Sequence, residues 1–146
     1  MASSKGLSDS APAWMAVVLR IAAVYNVLWG AAAVLFPLAA FRWAGMEPPN
    51  YPELWQCIGM IVGVYGVGYW IAAGDVQRHW PIVLVGLLGK LCGPIGFLWS
   101  AWNGTIPWIA GWTIMTNDII WWVPFVVILR WVSSAPDSAH SPAQSG

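Results

Sequence analysis

One lysine lies in the middle of a long apolar run, and this feature most constrains what the chain can form. The run extends from Pro81 to Trp102, and Lys90 is its only charged residue. At about 1.5 Å per residue, a helix of this length crosses the roughly 30 Å hydrocarbon core of a membrane. A second such run, Trp108 to Leu129, also carries one charge, Asp118. An unpaired charge in hydrocarbon costs about 2.5–3.5 kcal/mol, so the two runs predict a membrane hairpin in which these charges meet.

The composition supports a membrane protein. The chain of 146 residues is 59% hydrophobic and 8% charged, whereas about 25% of residues are charged in soluble domains. Its 13 tryptophans suit the interface between lipid and water, where the indole ring is buried and its N–H stays hydrated. The formal net charge is zero, so no basic surface for phosphates is expected. The lipid bilayer is therefore the expected partner, and nucleic acid is not.

The pattern of apolar runs predicts an all-α fold, a four-helix transmembrane bundle. The predicted helices cover about 15–41, 52–73, 81–102 and 108–130 within one domain, 14–131. The small and polar tails, 1–13 and 132–146, are predicted to be disordered. Gly59 and Gly63 form a G-x-x-x-G pattern that Gly66 extends, and such a face lets two helices approach closely.

Positive charges predict the orientation in the membrane. Four spans place both termini on one side, where Lys5, Arg20, Arg78 and Arg130 lie. The other side holds Arg42 alone. Because positive residues favour the cytoplasmic side, the termini are predicted to be cytoplasmic in a bacterial inner membrane.

The candidate site is an intramembrane polar cluster of Lys90, Asp118, Asn117 and Asn26. Lys90 and Asp118 lie at nearly equal distances from the tight turn at Thr105, with a difference of about 3 Å along the helix axis. Amides within the membrane also need partners, which places Asn117 and Asn26 in the same cluster.

A helix break is predicted beside Lys90, at Gly93 and Pro94. Proline has no N–H to give to the carbonyl four residues back, and its ring crowds that carbonyl. Interrupted helices next to polar side chains mark binding sites in transporters. The competing interpretation is a kink with a charge pair that fixes how the helices pack. Both interpretations stay open at this point.

Neither a metal site nor a cofactor site is expected. The sequence has no metal-ligand spacing, phosphate-binding loop, dinucleotide fingerprint or nucleophile elbow. Cys57 and Cys92 form no Cys-x-x-Cys pair and are interpreted as small core residues. An enzyme is therefore not the favoured interpretation.

Four segments carry a resemblance to known proteins. They are Tyr25–Gly30, Trp55–Met60, Gly89–Phe97 and Thr116–Trp122. Together they resemble a group of small bacterial four-span membrane proteins, some of which are labelled alkyl hydroperoxide reductase. The chain is also similar, more loosely, to DoxX-like four-span proteins. The label implies a reactive cysteine, but a thiol within an apolar span is a poor nucleophile, which argues against peroxidase chemistry.

Three functions follow as hypotheses. The first is an accessory or structural membrane subunit in a stable complex. The second is a small homo-oligomeric transporter or proton-coupled carrier that uses Lys90 and Asp118. The third is a membrane redox protein that handles a quinone or a peroxide.

Overall fold

The four predicted spans are all helical in the computed structural model, which describes residues 11–134. The helices are α1 (Ala13–Leu35), α2 (Ala39–Trp43), α3 (Pro52–Gly74), α4 (Val76–Trp102), α5 (Gly111–Ile114) and α6 (Ile120–Ser134). A 3₁₀ turn (Trp108–Ala110) precedes α5, and a π turn (Met115–Ile119) joins α5 to α6. These last elements form one span, Trp108–Ser134. The predicted all-α fold with four membrane-spanning helices is therefore confirmed.

The first span is shorter than the sequence predicted. It ends at Leu35 instead of continuing to residue 41, and α2 follows as a separate short helix. Pro37 accounts for the end, because proline cannot donate to the carbonyl four residues back. The side chain of Gln56 donates to the carbonyl oxygen of Val34 over 2.8 Å. This bond satisfies one of the carbonyls that every helix end leaves without a partner.

The third span begins earlier than predicted. Asp75 forms the N-cap of α4, and its carboxylate accepts from the backbone N–H of Arg78 over 3.0 Å. His79, two residues before Pro81, has φ −106° and ψ 17°, so the helix is kinked there. The last span extends to Ser134, beyond the predicted residue 130. Most of both predicted disordered tails, residues 1–10 and 135–146, lies outside the described residues.

Glycines bring α1 and α3 into close contact. A Cβ added at Gly59 would lie 2.8 Å from the Cβ of Ala33, and one at Gly66 would lie 2.7 Å from the carbonyl oxygen of Ala23. A Cβ at Gly30, on the opposing helix, would overlap the backbone of α3. The two backbones therefore pack against each other with no room for a methyl group, as in other small-residue membrane interfaces.

The apolar core occupies one half of the bundle, which we call the closed half. This half lies next to the two ends of the described chain and the α3–α4 turn. Its fully buried side chains include Met15, Leu19, Tyr69, Val83, Phe125 and Ile128. The rings of Tyr69 and Phe125 meet edge to face, with their centroids 5.1 Å apart. The other half, next to α2 and the turn after α4, is called the open half; its buried apolar side chains, within residues 11–134, are the small Ala33, Pro94 and Ala101.

Candidate functional site

Lys90 and Asp118 lie next to each other where the two halves meet. They are 6% and 5% exposed, and the distance between Lys90 Nζ and Asp118 Oδ1 is 3.9 Å. That distance fits an ion pair and is too long for a hydrogen bond. The ammonium group donates instead to the backbone carbonyl of Asn117. The structure thus brings together the two charges that the sequence analysis places at similar depths in the membrane. It also gives the lysine a hydrogen-bond partner on the backbone.

The π turn places both polar residues of the last span. Asn117 and Asp118 lie within Met115–Ile119, and the backbone N–H of Ile120 donates to the carbonyl of Met115, five residues back. Single π turns inside helices are rare and are frequent at functional sites. They change which carbonyls stay free and turn the following side chains relative to the rest of the helix. The sequence analysis did not predict this turn, since no residue type specifies it.

The predicted helix break at Gly93 and Pro94 does not occur. Within α4, only His79 leaves the helical backbone angles, so the helix continues through Pro94. The carbonyl of Lys90, which Pro94 leaves free, accepts a hydrogen bond from Trp122 Nε1 over 3.1 Å. Trp122 is therefore a site residue that the sequence analysis missed. The sequence does contain one sign that such a donor is needed. Pro94 leaves the carbonyl of Lys90 without its helical partner, and within the membrane that carbonyl needs another donor.

Lys90 thus links the two helices of the hairpin through one hydrogen bond that it donates and one that it accepts. Its side chain donates to the backbone of the last span at Asn117, and its own carbonyl accepts from Trp122 of that span. One bond satisfies the carbonyl that Pro94 leaves without a donor, and the other reaches a carbonyl within the π turn. The lysine therefore fixes the position of the last span against α4.

One oxygen of the Asp118 carboxylate has a partner and the other has space. Asn117 Nδ2 donates to Oδ1 over 3.1 Å, and because a carboxylate only accepts, this fixes the orientation of the amide. The amide oxygen of Asn117 is then buried, with no partner in the described part of the chain. No hydrogen bond reaches Asp118 Oδ2 from residues 11–134, and a Cβ at Gly93 would lie 2.9 Å from it. Glycine at this position keeps the space beside Oδ2 open.

A small polar cavity contains all four residues of the predicted polar cluster. Its volume is about 150 Å³, and its walls include Lys90, Asp118, Asn117 and Asn26, with Tyr65 and Tyr69 beside them. Asn26 is 2% exposed, and its side-chain oxygen has no hydrogen-bond partner among residues 11–134. A cavity of this size has room for water molecules, which can satisfy such groups. The predicted cluster is therefore one continuous polar space. We call it the polar cavity.

A larger cavity occupies the open half, and we call it the open cavity. Its volume is about 560 Å³, and it runs from Met46 and Ile106 at the loops down to Asn117 and Asp118. Aromatic rings form much of its wall, with Trp29 and Trp55 at a centroid distance of 5.7 Å. Asp118 therefore lies at the inner end of one cavity and in the wall of the other.

The two cysteines do not lie in the core. Both Cys57 and Cys92 are exposed on the bundle, contrary to the sequence interpretation. Cys92 lines the open cavity, one helical position before Gly93. In the described part of the chain, no group of three or more His, Cys, Asp or Glu residues is placed to hold a metal ion.

Comparisons with protein-family models, curated proteins and solved structures gave no match. The resemblance to four-span proteins labelled alkyl hydroperoxide reductase, and to DoxX-like proteins, therefore stays a prediction.

Proposed function

We propose that this protein binds a small, mostly apolar molecule within the membrane, with Asp118 as the polar anchor. The observation that carries the proposal is the position of this carboxylate. It is 5% exposed, it contributes to both cavities, and its Oδ2 has space in front of it that Gly93 keeps free. Oδ2 receives no hydrogen bond from residues 11–134, so a bound group that donates to it would give this acceptor a partner.

In this proposal Lys90 is a positioning residue. Its ammonium group is held by the carbonyl of Asn117, and its own carbonyl is held by Trp122. These bonds orient the π turn that carries Asp118. In this proposal, the lysine fixes how the helices pack, and the aspartate binds the ligand.

The geometry favours a binding protein over the carrier and redox hypotheses. A carrier needs a path through both halves, and the closed half is filled by side chains such as Phe125, Ile128 and Val83, each 0% exposed. A quinone carbonyl needs hydrogen-bond donors, yet the charged group at the inner end of the open cavity is the carboxylate of Asp118, which only accepts, and its Oδ2 receives no bond from residues 11–134. A binding protein that serves as an accessory membrane subunit, alone or as a homo-oligomer, fits both observations.

We further propose that the membrane is a bacterial inner membrane and that the termini are cytoplasmic. Arg20, Arg78 and Arg130 lie near the ends of their helices in the closed half, while Arg42 lies on α2 in the open half. This distribution supports the orientation under the positive-inside rule. The open cavity would then open to the outer side.

Labelling of Cys92 tests the access that binding requires. The variant Cys57→Ser leaves Cys92 as the single thiol, on the wall of the open cavity. A membrane-impermeant maleimide is added to spheroplasts and, separately, to inside-out vesicles. We expect labelling from one side only, the outer side. The matched variant Cys92→Ser leaves Cys57, which is exposed but is not part of the cavity wall, and reports the reactivity of a thiol on the outside of the bundle.

The outcomes separate access from orientation. Labelling of Cys92 from the cytoplasmic side alone reverses the orientation and keeps the cavity. Labelling from both sides contradicts the tight packing of the closed half, because the maleimide then reaches Cys92 from the cytoplasmic side as well. No labelling from either side, in a protein that labels fully after denaturation, overturns the proposed function, because no water-filled path then reaches the site.

A further inference from the structure

We infer that the molecule bound at Asp118 is an organic cation, an amine with an aromatic or apolar body. The inference rests on the proposed binding function and names its ligand class. Three features of the open cavity carry it: the sign of its charge, the polarity of its free atoms and the nature of its walls.

The open cavity exposes the carboxylate of the Lys90–Asp118 ion pair and not its ammonium group. Among the described residues of its wall, Asp118 is the only charged one. Lys90 lines the polar cavity on the other side of the carboxylate and does not line the open cavity. A ligand that enters from the open half therefore meets the carboxylate first. An opposite charge at short range in such a poorly solvated place is attracted more strongly than in water.

The carboxylate at the inner end of the open cavity has an oxygen that is free to accept hydrogen bonds. Asp118 Oδ2 receives no bond from residues 11–134. A carboxylate only accepts, so this atom suits a group that donates. An ammonium group carries several N–H donors and no acceptor.

Aromatic rings line the path that the rest of the ligand would occupy. Trp55 meets Trp29 and Phe41 edge to face, at centroid distances of 5.7 and 5.3 Å. In an edge-to-face pair, the ring that offers its edge keeps its faces free for another group. The face of a tryptophan attracts cations as well as apolar groups. The same walls and the same carboxylate disfavour an anionic ligand.

Three probes that differ in one group test the inference. Phenethylamine, which is cationic at neutral pH, is compared with phenylethanol and with phenylacetate, and all share the ring and the two-carbon arm. The readout is the concentration that halves the rate of maleimide labelling at Cys92 in purified full-length Cys57→Ser protein in micelles. We expect the amine to protect at a concentration at least about tenfold lower than the alcohol, and the acid to protect least.

The Cys92→Ser protein controls for nonspecific effects, since labelling of Cys57 should not respond to any probe. Equal protection by the amine and the alcohol overturns the cation inference and leaves the binding function in place. Stronger protection by the acid overturns it as well. No protection by any of the three, at concentrations that saturate the micelles, counts against the binding function itself.

Two variants locate the effect at the carboxylate. Asp118→Asn keeps the shape and removes the charge, so the preference for amine over alcohol should disappear. Gly93→Ala places a methyl group 2.9 Å from Oδ2 and should weaken amine protection about tenfold. Its matched control is Gly96→Ala, on the same helix and the same cavity wall, where a Cβ meets no atom within 4 Å among the described residues. Equal effects of the two alanines contradict the inference even if Asp118→Asn does not fold.

Discussion

The two halves of the bundle differ in what fills the space between the helices. In the closed half, aromatic and branched side chains interdigitate until residues such as Leu19, Phe125 and Ile128 have no exposed surface. In the open half, the same helices separate around a cavity of about 560 Å³ with aromatic walls. The charged pair lies at the boundary. The contrast shows that one half supplies stability, which allows the other half to keep space and unpartnered polar atoms.

The largest expected effect comes from removing a ring in the closed half. Phe125→Ala should lower the free energy of unfolding by about 3–5 kcal/mol, because the ring is fully buried between Tyr69 and Trp121. Phe97→Ala, on the wall of the open cavity, should cost about 1 kcal/mol. Unfolding with SDS in mixed micelles measures both. Equal losses would mean that the halves are not packed differently.

A change at the boundary comes next. Lys90→Met should destabilise the protein by about 3 kcal/mol, since Asp118 loses its counter-charge and the carbonyl of Asn117 loses its donor. Lys90→Met with Asp118→Leu should recover more than half of this loss and should not bind phenethylamine. The same unfolding assay checks it. A double variant as unstable as the single one would show that the backbone bond, and not the charge, dominates.

Replacing either of two glycines by alanine should change the stability by a smaller amount, with a loss at Gly59 and a gain at Gly96. Gly59→Ala, where a Cβ would lie 2.8 Å from Ala33, should cost about 1–3 kcal/mol by overpacking. Gly96→Ala, in the open half, should stabilise by about 0.5–1 kcal/mol, because alanine is the better helix former and finds free space. Thermal unfolding of the two variants in the same detergent measures both effects. A loss of stability in Gly96→Ala would show that close packing requires the glycine at residue 96.

The smallest effect concerns the indole bond beside Pro94. Trp122→Phe should cost about 1 kcal/mol beyond the loss of ring area, because the carbonyl of Lys90 loses its donor. In a Pro94→Ala background this extra cost should vanish, since alanine at position 94 restores a backbone N–H for that carbonyl. A double-mutant cycle measures the coupling. Strict additivity would mean that the indole bond contributes nothing.

Much of the fold follows from the sequence for a simple reason. Apolar runs long enough to cross a membrane have few alternatives to helices, because each backbone N–H and C=O must be satisfied internally. The nearly equal depths of Lys90 and Asp118 then let the two charges meet in an antiparallel hairpin whose helices turn these faces toward each other. The end of α1 was predicted at residue 41, although Pro37, two residues beyond the observed end at Leu35, was a signal for an earlier one.

The rest depends on facts that residue types do not encode. The π turn at Met115–Ile119 rotates Asn117 and Asp118 relative to a regular helix, so depth alone does not give the atoms that Lys90 contacts. The predicted break at Pro94 was wrong because the missing donor comes from Trp122 on another helix. The open cavity results from gaps between helices, and such gaps are set by all the side chains together.

The paired bonds at Lys90 also have a mechanical consequence. A helix held to its neighbour through both a side chain and a carbonyl cannot slide or rotate past it without breaking two bonds at once. The α1–α3 pair is equally inseparable, because the close backbone contact at Gly59 and Gly66 leaves no slack. Each of the two helix pairs, α1 with α3 and α4 with the last span, is therefore held together by its own contacts. A change in the volume of the open cavity would have to come from movement between the two pairs, because movement within either pair would break hydrogen bonds or close backbone contacts.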